Sequence, residues 1–186
     1  METINTNAQN LEDNVKEILS SFGYDLNSEH IKDTPKRYIK ALKEFHLQED
    51  FNFSTFNSET TDIVTVSEIR FYSLCEHHLF PFFGYASISY IPNGKIVGIS
   101  KLPRVVDKFS RKLQNQERLT NEIISFLEEN LNPKGIAVGL TARHLCMEMR
   151  GIKSNSLTKT IALRGYFSSN EHIKNIFLSI FNSIKL

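Results

Sequence analysis

Two short segments gather residue types that bind metals and move protons. Cys75-Glu76-His77-His78 carries one thiol and two imidazoles; His144-Leu145-Cys146 carries the other thiol and a third imidazole. The chain has only two cysteines and six histidines, so finding both thiols beside histidines points to chemistry rather than chance. Zinc favours thiolate and imidazole ligands in a tetrahedral arrangement. Cys75, His78 and Cys146 would supply three, leaving a fourth position for water, which is the mark of a catalytic site. Zinc can bring the pKa of such a water to about 7, and His77 and His144 would then be available to give and take protons. Two other readings of these residues stand beside this one. They could be packed, satisfied core side chains, or Cys75 and Cys146 could form a disulfide, which would leave His78 unexplained and suits a reducing compartment poorly.

A second group of residues suits an anion. Ser100-Lys101-Leu102-Pro103-Arg104 leads from a short strand into a helix, whose N-terminus favours negative charge. Lys101 adds a point charge and Arg104 a bidentate donor, as phosphate recognition requires. The same residues also fit an ordinary solvated surface. Arg150 follows the segment that holds His144 and Cys146, and Arg37 lies just after Thr34-Pro35. Gln116-Glu117 opens another helix, where a carboxylate usually complements the dipole but could instead accept N–H bonds from a ligand.

The elements that must position these groups follow from periodicity. Leu11, Val15, Ile18, Leu19 and Phe22 predict a helix over 11–22, stopped by Gly23. Asp33-Thr34-Pro35 reads as an N-cap and first turn, followed by Tyr38, Leu42 and Phe45 at helical spacing. Residues 47–61 read as a loop. From Asp62 the pattern is β, with Pro92-Asn93-Gly94 as a hairpin turn before a strand at 95–99. Helices are predicted from Pro103 and over 117–131, long strands over 136–149 and 158–167, and a last helix capped by Asn170. On the 136–149 strand, alternation would put His144, Cys146, Glu148 and Arg150 on one face with Ile136, Val138, Leu140 and Ala142. The sum is an α+β chain with an antiparallel sheet and helices on one face. We divide it into an N-terminal helical segment, 1–61, and a catalytic domain, 62–186.

A net charge of +1 over 186 residues gives no general affinity for nucleic acid or an anionic membrane. No apolar run is long enough to span a bilayer, and the opening METINTNAQNLEDN has no leader pattern. The expectation is a cytoplasmic protein with no nucleic-acid or membrane partner.

Taken together, these segments resemble the GTP cyclohydrolase I family. The matching stretches are Cys75-Glu76-His77-His78, Pro81-Phe82-Phe83-Gly84, Tyr90-Ile91-Pro92, Gly98-Ile99-Ser100-Lys101-Leu102-Pro103-Arg104, Gln116-Glu117-Arg118-Leu119-Thr120, His144-Leu145-Cys146-Met147, Met149-Arg150-Gly151-Ile152 and Leu163-Arg164-Gly165. The resemblance implies the tunnelling fold, assembled as a homo-oligomer, a decamer of two pentamers with sites where subunits meet. It implies Zn2+ on Cys75, His78 and Cys146, with GTP and water as reactants. His77 and His144 would handle protons, Glu117 with Gln116 beside it would read guanine, and Ser100, Lys101, Arg104, Arg150 and Arg37 would hold the triphosphate or lie close to it. Lys112 and Asn115 depart from residues common in the family. Another tunnelling-fold enzyme and a non-catalytic zinc-stabilised module are the rival readings. The module would need a fourth protein ligand; His77 is a poor one, because adjacent side chains on an extended segment point apart and His77 and His78 should not share one metal.

Overall fold

The computed structural model describes residues 8–185, so the reading of the first residues as lacking a leader falls partly outside them. The chain forms two compact units, one ending at Leu47 and the other starting at Gln48. In the first, helices α1 (Ala8–Ser21) and α2 (Thr34–His46) pack together. Gly23 stops α1 as expected. It takes φ 82°, and the N–H groups of Gly23 and Tyr24 return to the carbonyls of Ser20 and Leu19. Asp33 stands at the N-cap of α2 but makes no capping bond; its carboxylate lies 3.7 Å from the Arg37 guanidinium instead.

The second unit contains β1 (Thr55–Asn57), β2 (Val64–Cys75), β3 (Pro81–Ile91), β4 (Lys95–Val97), α3 (Lys101–Ser110), β5 (Leu113–Gln114), α4 (Gln116–Leu131), β6 (Gly135–His144), α5 (Leu145–Glu148), β7 (Thr158–Gly165), α6 (Tyr166–Ser169) and α7 (Glu171–Asn182). Five strands make one sheet in the order β5-β2-β3-β6-β7, antiparallel except where β5 joins β2. The α+β class and antiparallel sheet are as the sequence implied.

Several local expectations change. Division was expected at residues 61/62, yet residues 48–61 belong with the sheet, because Phe51 and Phe53 pack on its core and β1 pairs with β4. Pro92-Asn93-Gly94 does turn the chain, but it does not close a β3–β4 hairpin. The backbone of β4 is taken by β1, and the Val97 N–H donates to the Tyr90 phenol oxygen at 3.2 Å. The strand expected over 136–149 ends at His144, and Cys146 sits on the short helix α5. Arg143 and Glu148 form a salt bridge across this turn, so Glu148 does not continue a strand face.

Helix α4 begins one residue earlier than expected, at Gln116, and its buried Leu119, Ile123, Ile124, Leu127 and Leu131 recur at helical spacing. With Leu102, Val105 and Val106 of α3 they cover one face of the sheet, against Phe71, Phe82, Ile88, Val138 and Leu140. Burial of each such side chain contributes about 1.5–3 kcal/mol. Asn132 at φ 48° ends α4 in the left-handed region, and Pro133 follows. The C-terminal helix departs from the expectation of helices on one face, because its apolar side packs on the other face of the sheet. Asn170 caps α7 by accepting from the Ile173 N–H, and Phe177 and Phe181 pack with Ala137, which points to the opposite face of β6 from Val138.

Gly139 lets α7 approach that second face. A Cβ there would lie 2.8 Å from the Phe181 ring. Gly139→Ala should cost about 1–3 kcal/mol by overpacking, measured by chemical denaturation, and adding Phe181→Leu should return part of the loss.

Candidate active site

The segment Cys75-Glu76-His77-His78 leaves the end of β2 as a tight turn. The Cys75 carbonyl accepts from the N–H groups of His78 (3.3 Å) and Leu79 (2.8 Å), and the Cys75 N–H donates to the Phe80 carbonyl at 2.8 Å. Leu79 takes φ 59°, a conformation that non-glycine residues seldom adopt and that this turn imposes. Residues 76–78 are therefore not extended. Even so, the His77 and His78 rings lie 6.3 Å apart at 77° to each other.

The pairing of β3 with β6 brings the second segment alongside. Phe82 is the direct partner of His144, and their rings stack at 4.7 Å and 2°. One turn later α5 carries Cys146 back toward Cys75. Among the described residues, Cys75, His78 and Cys146 form a group whose ligand atoms all lie within 4.8 Å of one another. Both cysteines are buried and free. Tetrahedral zinc with these ligands needs separations of about 3.5–3.8 Å, so small side-chain adjustments suffice and the soft donor set fits the ion. The His77 Nδ1 and the His78 Nδ1 are each 3.9 Å from the Cys75 sulfur, but His77 does not join the three-ligand group. Burial first, and then the neighbouring Cys75 thiol, push the Cys146 thiol above its ordinary pKa. A metal ion would reverse this, since it binds the thiolate.

A cavity of about 310 Å³ opens beside this group, lined by Cys75, His77, His78, His144 and Cys146 on one side and by Gln114 to Glu117 on the other. Burial holds the His144 imidazole below its ordinary pKa, while the Glu117 carboxylate acts in the opposite direction. The Glu117 carboxylate has no hydrogen-bond partner among the described residues and is exposed at the cavity. Gln116 is buried and its amide is fully engaged.

The anion-binding candidates lie elsewhere. Ser100, Lys101 and Arg104 start α3 and do not line this cavity. The N–H groups of Lys101 and Leu102 are already bonded to the carbonyls of Gly98 and Ile99, and Pro103 has none, so side chains rather than backbone would have to hold an anion there. Arg104 borders a small cleft with Glu49 and Asp107. Arg150 is exposed, close enough to Cys146 to act electrostatically on its thiol. Arg37, in the first unit, donates to the His30 carbonyl at 3.1 Å and the Thr34 hydroxyl at 3.3 Å.

Sequence reasoning did not anticipate the clamp around Glu76. Its carboxylate accepts from the Asn115 amide at 2.7 Å and the Arg118 guanidinium at 2.5 Å, and Arg118 also donates to Gln114 at 2.7 Å. Asn115 additionally caps α4, accepting from the Arg118 N–H at 2.8 Å. An asparagine directly before the helix was the available signal. The other departure, Lys112, pairs with Glu122 at 2.9 Å.

The family described as GTP cyclohydrolase I matches residues 11–182. The chain is 48% identical over 181 residues to a Campylobacter jejuni protein named GTP cyclohydrolase 1, covering 94% of this chain and 95% of that one. Proteins of the same name from Sulfurihydrogenibium and Campylobacter curvus are 46% and 45% identical, over 94% of this chain and 95% and 96% of theirs.

The Asn115 amide first, and the Arg118 guanidinium second, hold the Glu76 carboxyl below the usual carboxylate range. A carboxyl whose folded pKa is depressed adds stability that is present above its unfolded pKa, about 4.3 for Glu, and lost as pH falls through the folded value. Thermal unfolding of the metal-free chain should therefore show a steep acid limb below about pH 4.3, and Glu76→Gln should make that limb shallower.

Proposed function

The chain belongs to the GTP cyclohydrolase I family, and from that premise we propose that it opens and rebuilds the purine ring of GTP, releasing formate and forming 7,8-dihydroneopterin triphosphate. The observation that carries this reading is the three-donor group of Cys75, His78 and Cys146 at one wall of a cavity whose other wall presents Glu117. Cys75, His78 and Cys146 would hold zinc, which when bound supplies a Lewis acid beside a water molecule. A three-ligand set favours this over a sealed structural metal site.

The chain's own residues do the rest. The unpartnered Glu117 carboxylate accepts the N–H groups along the guanine edge and so orients the base. His144 faces the imidazole part of the purine; its Nδ1 takes a proton from the water that adds to C8 and passes it to N7. The C8–N9 bond breaks, a second water releases C8 as formate, and the ribose carbons rearrange. Ring closure expels one water, so GTP and one net water become product and formate. His77, exposed at the cavity mouth, is the second proton carrier.

Ser100, Lys101, Arg104 and Arg150 would hold the triphosphate. Their positions outside the cavity wall support a site completed by another copy of the chain, in keeping with a tunnelling-fold decamer of two pentamers. Arg37 would serve the site of a neighbouring copy. A cytoplasmic location accompanies this reading, supported by two thiols kept free for metal.

Incubation with GTP should release formate and, after oxidation, a fluorescent neopterin, and a chelator should suppress both. No formate from the zinc-loaded chain would refute the activity. His144→Ala should keep its zinc and lose turnover; full formate release by that variant would remove His144 from the mechanism.

A further inference from the structure

Gln116 was expected beside the base, yet its side chain is only 1% exposed and its bonds run elsewhere. Nε2 lies 3.1 Å from the Leu140 carbonyl, 3.0 Å from the Thr158 carbonyl and 3.1 Å from the Thr160 hydroxyl. Carbonyl oxygens only accept, so this end of the amide is the NH2 group. The opposite end, Oε1, is 2.9 Å from the His144 Nε2. An amide oxygen also only accepts, so His144 must donate there, which places a hydrogen on Nε2.

The hydroxyls around the amide agree with this direction. The Thr120 hydroxyl donates to the Gln116 backbone carbonyl at 2.8 Å. Its hydrogen is thereby used, so in the 2.7 Å contact with Thr160 it accepts, and the Thr160 lone pairs remain for the Gln116 NH2 group. Phe82, fully buried and parallel to the imidazole, fixes the plane of the ring. Stack and hydrogen bond together leave His144 one orientation.

We propose that Gln116 is a positioning residue: it locks the His144 ring as the Nε2–H form and leaves Nδ1 as the nitrogen presented to the substrate. The substrate in that statement rests on the function proposed above; the lock itself rests only on the bonds just described. Partners that orient a metal-ligating histidine typically cost about 10–100-fold in affinity or activity when removed, and a proton-carrying histidine held in the same way should respond alike.

The test uses the zinc-loaded chain labelled with 15N-histidine, the His144 signals being identified by their loss in His144→Gln. The expected result is a protonated Nε2 and an unprotonated Nδ1. A proton on Nδ1, or signals averaged between the two forms, overturns the proposal without reference to activity. Gln116→Met keeps the length and removes the bonds; zinc content and thermal unfolding report whether it folds. In the folded variant the His144 signals should average, kcat should fall about 10–100-fold and KM for GTP should stay within about twofold. An unchanged Nε2–H form, or a raised KM with full kcat, overturns the proposal. If the variant does not fold, the unsubstituted chain's spectrum still decides. A chain that shows the Nε2–H form but releases no formate from GTP supports the lock and refutes the function.

Discussion

The register between β3 and β6 is the constraint on which the site depends. It sets Phe82 opposite His144, the last residue of β6, where the rings stack and the chain turns into α5. Only from that end point can one helical turn carry Cys146 to Cys75. A slip of one residue would send every inward side chain of β6 to the other face. Both faces are buried, by α3 and α4 on one side and α7 on the other, so such a slip would expose two cores at once.

A second constraint joins the metal-ligand turn to α4. Glu76 lies between Cys75 and His77, and its carboxylate is held by Asn115 and Arg118 at the start of the helix. The Glu76 N–H also donates to the Gln114 carbonyl at 3.0 Å, adding a backbone tie. The two walls of the cavity are thus bonded to each other, and the separation between the thiols and Glu117 is a property of the fold.

Much of this was legible in the sequence, for physical reasons that differ by element. Gly23 and Asn170 mark helix ends because few other residues satisfy those backbone groups so well. The apolar spacing of α4 is unambiguous over sixteen residues. Cys75, His78 and Cys146 stood out by type alone. What was not legible was non-local. His144-Leu145-Cys146-Met147 alternates as a strand would, yet in the fold the chain coils into α5 after His144, with Arg143 and Glu148 paired across the turn. Pro92-Asn93-Gly94 has hairpin chemistry, but the partner of β4 was a segment forty residues upstream that read as a loop. Gln116 looked like a ligand contact because it precedes Glu117; its real neighbours, Leu140, Thr158 and Thr160, lie on two strands that close over it only in the folded chain.

The opening of α4 packs three duties into consecutive residues: Asn115 caps and clamps, Gln116 reaches inward to His144, and Glu117 faces the cavity. Successive helical positions are about 100° apart, so each duty belongs to one angular setting. Inserting or deleting a single residue between Gln116 and Arg118 would turn the residues on its two sides by about 100° relative to one another and break up the set. Chain length here is consequently set by the fold, whereas the exposed side chains on the outer surface of the same helix meet no such demand.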